Sequence, residues 1–233
     1  MDTLAKVSAR LGRGGFFLLM AVGLCLMGSA STSYIELGDA HPFFLEKLPL
    51  ARPRLWLAAL YAHVPGALFA LPACLVLLSQ RVRTRFPRFH RWLGRMTAVL
   101  ILSVVVPSGM YLALFAQGGL PSTLGFWLTG TITFVAMLRS VQTARARDMR
   151  AHRRFSTHVA AQLAVAVVSR MLLVGAEFAE IYDEWVYIAA LWVPVLGCAC
   201  IAELATGSLL FSRGRPSPLF VGAPARVNLR VGP

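Results

Sequence analysis

Six long apolar runs, each nearly free of charge, constrain this chain more than any other feature; they lie at 15–34, 55–78, 93–116, 124–141, 155–176 and 185–211. Crossing about 30 Å of hydrocarbon takes about 20 apolar residues in a helix. No water reaches that depth, so the backbone must satisfy its own hydrogen bonds in a helix or a closed barrel. The runs are continuous rather than alternating, which selects helices. The predicted fold is an all-α integral membrane protein, a six-helix up-and-down bundle. Composition agrees, because only 14% of the residues are charged and 57% are hydrophobic. A soluble domain carries about 25% charged residues.

Most of the charge that remains lies in the segments between runs. Two basic segments, 80–95 and 139–154, hold about half of the 23 Lys and Arg. Lys6, Arg10 and Arg13 precede the first run, and Arg213, Arg215, Arg226 and Arg230 follow the sixth. In an alternating chain all of these share one face, which the positive-inside rule makes cytoplasmic. Glu36, Asp39, Glu46, Glu177, Glu180, Asp183 and Glu184 fall on the other face. The expected location is a bacterial cytoplasmic membrane, with both termini inside. The net charge of +13 then reads as topology plus attraction to anionic headgroups, and not as a nucleic-acid surface.

Three organisational expectations follow. Residues 1–14 form a cytoplasmic N-terminus, 15–211 the membrane domain and 212–233 a mobile, Pro-, Gly- and Arg-rich tail. The first run has signal-peptide grammar, including Gly28-Ser-Ala30, but its apolar character continues through Tyr34 and Ile35. It is read as an uncleaved helix. The order span, basic segment, His-Arg step, span occurs twice, at His90-Arg91 and His152-Arg153. That order suggests a parallel duplication of spans two–three and four–five.

Polar residues inside the runs are the candidates for chemistry. His63 lies about 12 Å from the outer end of the second span at 1.5 Å per residue. Pro65 frees a carbonyl near Tyr61 that could hold its ring. Ser108, Tyr111 and Arg170 fall at a similar depth, and the four form a candidate outer-half ligand pocket. Glu203 sits in the inner half of the sixth span, where the inner arginines or histidines are its natural partners. His90, His152 and His158 gather at the inner side. They read as interface residues, as headgroup partners beside the arginines, or, for His90 with His158, as axial ligands of a b-type haem. Trp92 and Phe89 suit an interfacial belt, Arg91 and Arg95 snorkel to phosphates, and Gly94 lets a neighbouring helix approach. The four cysteines lie in apolar runs and read as packing residues. No zinc-protease motif, phosphate loop, nucleophile elbow or carboxylate cluster is present, so the chain is not read as a soluble-type enzyme.

His63-x-x-Gly66, Gln80, Pro87-Arg-Phe-His90-Arg-Trp-Leu-Gly94-Arg95, His152-Arg-Arg and Arg170 together resemble a bacterial family of predicted membrane proteins, domain-of-unknown-function family 2306. The likeness covers about 55–173. It implies a multi-pass membrane fold without an established activity, and it marks His63, His90, His152 and Arg170 as positions of interest; His90, Arg91, Gly94, Arg95, His152 and Arg153 make up the inner-face motif. The chain departs from the family pattern at Phe155-Ser156, where the family has Trp-Met, and at His158, where it has Arg.

The functional expectation is a ligand-handling or transport-associated membrane protein, for a quinone, a lipid or a small polar ligand. A small haem b electron-transfer protein and a structural subunit of a membrane complex are the other classes. Its surroundings are the bilayer and its anionic headgroups, with membrane-protein partners or a second copy also open.

Overall fold

The computed structural model describes residues 15, 18–29, 32, 42–45, 47 and 50–206. The expected termini at 1–14 and 212–233, the acidic residues Glu36, Asp39 and Glu46, and the end of the sixth run beyond 206 lie outside the described residues. Among the described residues the regular elements are all helical. They are α1 (Leu18–Ser29), α2 (Pro42–Leu45), α3 (Pro53–Leu78), α4 (Gln80–Arg85), α5 (Pro87–Leu100), a π turn (Ile101–Val105), α6 (Val106–Leu112), a 3₁₀ turn (Ala113–Phe115), α7 (Gly119–Arg145), α8 (Met149–Phe178) and α9 (Glu184–Thr206).

Five helical stretches are long and apolar enough to cross a membrane: Pro53–Leu78, Pro87–Phe115, Gly119–Arg145, Met149–Phe178 and Glu184–Thr206. They correspond to the second to sixth runs. The first run is represented by α1, twelve described residues, about 18 Å at 1.5 Å per residue. Met20 of α1 is fully buried among Leu71, Ala164 and Val167, so α1 packs between α3 and α8.

The basic segments are more helical than their composition suggests. Pro87 stands in the first turn of α5, where its missing N–H costs nothing. The whole of Pro87–Arg95 is therefore helix, not loop. In the second segment only residues 146–148 connect the helices. Asp148 caps α8 by accepting from the Ala151 amide at 3.0 Å. Arg147 takes the left-handed conformation at φ 60° that this short connection demands.

Helix α8 is central and packs on α3, α7 and α9. The main core joins Ala70 and Cys74 of α3, Ala98, Ile101, Val105 and Val106 of the next span, Ala136 and Met137 of α7, and Val159 and Ala160 of α8. Val165, Leu191 and Val195 close the α8–α9 seam. Helix–helix association in lipid relies on close packing and polar links. Gly125 shows the first, because a Cβ there would stand 2.7 Å from Leu191 Cδ2. Gln162 shows the second. It is buried, accepts from Thr129 Oγ1 of α7 at 2.7 Å, and donates from Nε2 to the Val195 carbonyl of α9 at 3.3 Å.

Candidate functional site

Of the four residues predicted for an outer-half pocket, two meet. His63 on α3 has Nδ1 2.9 Å from the Val105 carbonyl and 3.2 Å from Ser108 Oγ. A carbonyl only accepts, so Nδ1 carries a proton. Ser108 Oγ donates to the Val104 carbonyl at 2.6 Å and can accept from His63. The partner of His63 is thus a carbonyl of the facing span, not the one that Pro65 frees on its own helix.

Pro107 creates the geometry. It has no N–H for the carbonyl four residues back, and its ring would collide there. The backbone widens into the π turn over Ile101–Val105, just before the carbonyl that His63 uses. Gly109 completes the fit, because a Cβ there would stand 2.6 Å from His63 Cε1 and 3.0 Å from Nδ1.

Tyr111 lies one turn on, against Phe115 (ring centroids 5.6 Å apart) and beside the buried cluster of Phe44, Trp56 and Leu60. Arg170 is exposed on α8 and makes no hydrogen bond or ion pair with the other three. Its side of α8 is turned away from them. The buried face of α8 carries Val159, Ala160, Gln162, Ala164, Val165 and Val167.

At the arginine-rich end, His152 acts as a clasp. Its Nδ1 donates to the Ser140 carbonyl at 2.9 Å and lies 3.1 Å from Ser140 Oγ. Ser140 Oγ is also 2.8 Å from Ser156 Oγ, which donates to the His152 carbonyl at 2.8 Å. This network ties the end of α7 to the start of α8 around the short connection. His90, at the corresponding place in the first basic segment, differs. Its Nδ1 is buried without a hydrogen-bond partner. The residue twelve positions before His152 is Ser140, whereas the one twelve before His90 is Leu78, which offers no side-chain acceptor.

Arg91, Arg95 and Arg153 are exposed, as are Trp92 and Phe89, which suits a headgroup layer. Gly94 is roomier than expected, since a Cβ would meet only Leu77 Cδ2 at 3.9 Å. Of the two candidate haem ligands, His158 has its Nε2 3.2 Å from a Glu203 carboxylate oxygen, and His90 has a buried Nδ1 without a hydrogen-bond partner. Among the described residues no group of three or more His, Cys, Asp or Glu could hold a metal ion.

Glu203 has the partners that its depth indicated. Arg154 Nη2 bonds both carboxylate oxygens, at 2.6 and 2.8 Å, and His158 Nε2 donates to one of them. These residues close the polar end of a cleft of about 320 Å³. Thr131, Ile132, Val135 and Ala136 of α7 and Phe155 of α8 supply its walls. Arg154 Nε is buried beside the cleft without a partner. At 1.5 Å per residue, Arg154 stands about 8 Å and Thr131 about 21 Å from their helices' ends at the α7–α8 connection. The cleft therefore runs from a charged end near the arginine-rich layer toward the middle of the bundle. Sequence reasoning passed over Arg154, which looked like one more loop arginine. The available signal was its spacing: Arg154 and His158 are one turn apart on one helix face, at the depth of Glu203.

A family model described as predicted membrane protein (DUF2306) matches residues 60–206. No curated protein matches the chain, and no solved structure does. The matched range extends beyond the motif-bearing stretch through the whole of α9, so Arg154, His158 and Glu203 all fall inside it. With its five long apolar helices and a family match over more than half its length, the chain belongs to the predicted membrane protein family DUF2306.

Proposed function

We propose that this membrane protein handles an amphipathic ligand taken sideways from the bilayer into the α7–α8–α9 cleft. The observation that carries this reading is the charged end of the cleft. Arg154, His158 and Glu203 meet at the end of an otherwise apolar recess, and Arg154 keeps a buried donor unused. Ionisable groups inside a membrane bundle are costly and mark sites of function. A cleft of about 320 Å³ is at the small end of ligand sites, which span roughly 300–1,000 Å³. Thr131 and Val135 are exposed at its rim, which gives an apolar chain a way out to lipid.

The same reading places the protein in a bacterial cytoplasmic membrane, with six spans, both termini in the cytoplasm and the arginine-rich end facing inward. The α3–α5 and α7–α8 junctions both put arginines at that end, which supports a duplicated pair of hairpins. The His63–Ser108 node then serves as a fixed point between α3 and α6 at the opposite end.

The test is co-purification. The full chain is isolated in mild detergent and its organic extract is analysed by mass spectrometry. One amphiphile class should be enriched over the bulk lipid, and Val135→Trp, which fills the cleft from its exposed wall, should remove it. The same lipid profile in both proteins would leave a scaffold without a ligand.

A further inference from the structure

We infer that the cleft selects an uncharged amphiphile whose head presents a carbonyl oxygen, as a quinone does, and that Arg154 Nε donates to that oxygen. The inference rests on the ligand-handling reading above and specifies the ligand of the same cleft.

The charges at the polar end argue first. Arg154 and Glu203 form a tight pair, so their formal charges cancel. A phosphate or carboxylate head entering here would meet no net positive charge, and it would face the Glu203 carboxylate at close range. The free positive charge lies elsewhere. Arg91, Arg95, Arg147, Arg150 and Arg153 are exposed at the arginine-rich end and have no carboxylate partner among the described residues. Anionic headgroups are therefore held in the basic layer at the arginine-rich end and not within the cleft.

The donors argue second. Both carboxylate oxygens of Glu203 bond one nitrogen of Arg154, Nη2. The Nε–H is left buried and unsatisfied beside the recess. A buried donor without a partner is destabilising. A ligand oxygen that accepts from it removes that cost.

His158 adds the complementary group. Its Nε2 donates to Glu203, and in the neutral form of the ring the lone pair then sits on Nδ1. One donor and one acceptor, a turn apart on α8, can serve the carbonyl of a quinone and the hydroxyl of its reduced form. The walls argue third. Ile132, Val135, Ala136 and Phe155 are apolar, and the volume of about 320 Å³ admits a ring and the first part of a chain. The remainder of the chain leaves past Val135 into lipid.

The experiment is equilibrium binding of decylubiquinone to the full chain in phosphatidylcholine nanodiscs. Phosphatidylglycerol is titrated separately as the anionic competitor. Arg154→Lys keeps the positive charge opposite Glu203 but removes the Nε donor, and a thermal melt of the variant verifies its fold. The inference expects saturable quinone binding that Arg154→Lys weakens about tenfold and Val135→Trp abolishes, with phosphatidylglycerol failing to compete. Quinone binding that ignores Arg154→Lys would overturn the assigned contact. Competition by phosphatidylglycerol would overturn the neutral head. Absence of quinone binding, with a different amphiphile still co-purifying and still lost in Val135→Trp, would sink this inference while sparing ligand handling. No quinone binding and no lost co-purifying species would sink both.

Discussion

Substituting alanine at Gly109 should break the His63 link between α3 and α6, and removing His63 should relieve the clash that the new methyl causes. The added Cβ would stand 2.6 Å from His63 Cε1, well inside any real contact. The ring must withdraw from its span by roughly 0.8 Å to reach an ordinary separation. Val105 is on the same span, so its 2.9 Å hydrogen bond to His63 lengthens to about 3.7 Å, beyond the limit of such a bond. Overpacking costs about 1–3 kcal/mol and the lost bond about 0.6 in a bilayer. Replacing a helical glycine by alanine returns up to about 1 kcal/mol. Gly109→Ala alone should therefore destabilise by about 0.6–2.6 kcal/mol. His63→Ala vacates the space that the new methyl needs. The double variant should then be no less stable than His63→Ala, with a coupling of about 2 kcal/mol in a double-mutant cycle. The assay is reversible denaturation in mixed micelles, followed by circular dichroism. Additivity within about 0.5 kcal/mol would refute the steric account.

Arg147→Gly should stabilise the α7–α8 connection by about 1 kcal/mol, because glycine adopts the left-handed conformation without strain; an unchanged or lowered melting temperature would contradict that. Gln162→Leu should cost about 0.6 kcal/mol by losing its links to Thr129 and Val195, in line with polar contacts measured between membrane helices. A gain in stability in the same micelle assay would count against a linking role. Glu203→Gln should destabilise by about 1–2 kcal/mol, since Arg154 keeps only 15% of its side chain exposed and loses its counter-charge. An unchanged melt would place the pair among surface salt bridges. In a variant stripped of Cys25, Cys74, Cys198 and Cys200, single cysteines at Arg147 and Tyr182 should be labelled from opposite sides of the membrane, with Arg147 on the cytoplasmic side. Labelling of both from one side would discard the alternating topology.

Five of the six expected spans were legible in the sequence as long apolar helices, because length and hydropathy carry them directly. The second to sixth runs became helices with edges moved outward by a few residues, as at Pro87, where the helix starts six residues before the expected span. Depth also foretold the partner of Glu203. The side of a helix that a residue faces was not legible. Arg170 was expected at the depth of His63 and faces away from it, since the uniformly apolar spans carry little angular pattern. Gln162 hides as a lone polar residue among alanines and valines, and only its neighbours on α7 and α9 reveal that it ties three helices. Arg154 was masked by the arginines around it. The π turn depends on how Pro107 is accommodated, which residue spacing does not encode.

That turn has a consequence for everything downstream of it. A π turn inserts one residue into the helical count, so the segments on either side are out of phase by about 100°. The end bearing His90 and Arg95 and the end bearing Ser108 and Gly109 are two separately clocked pieces of a single rod. Each can be tuned against its own neighbours without rotating the other. Deleting one residue within Ile101–Val105 would re-couple them and swing Ser108 and Gly109 away from His63 while leaving the arginine-rich end in place.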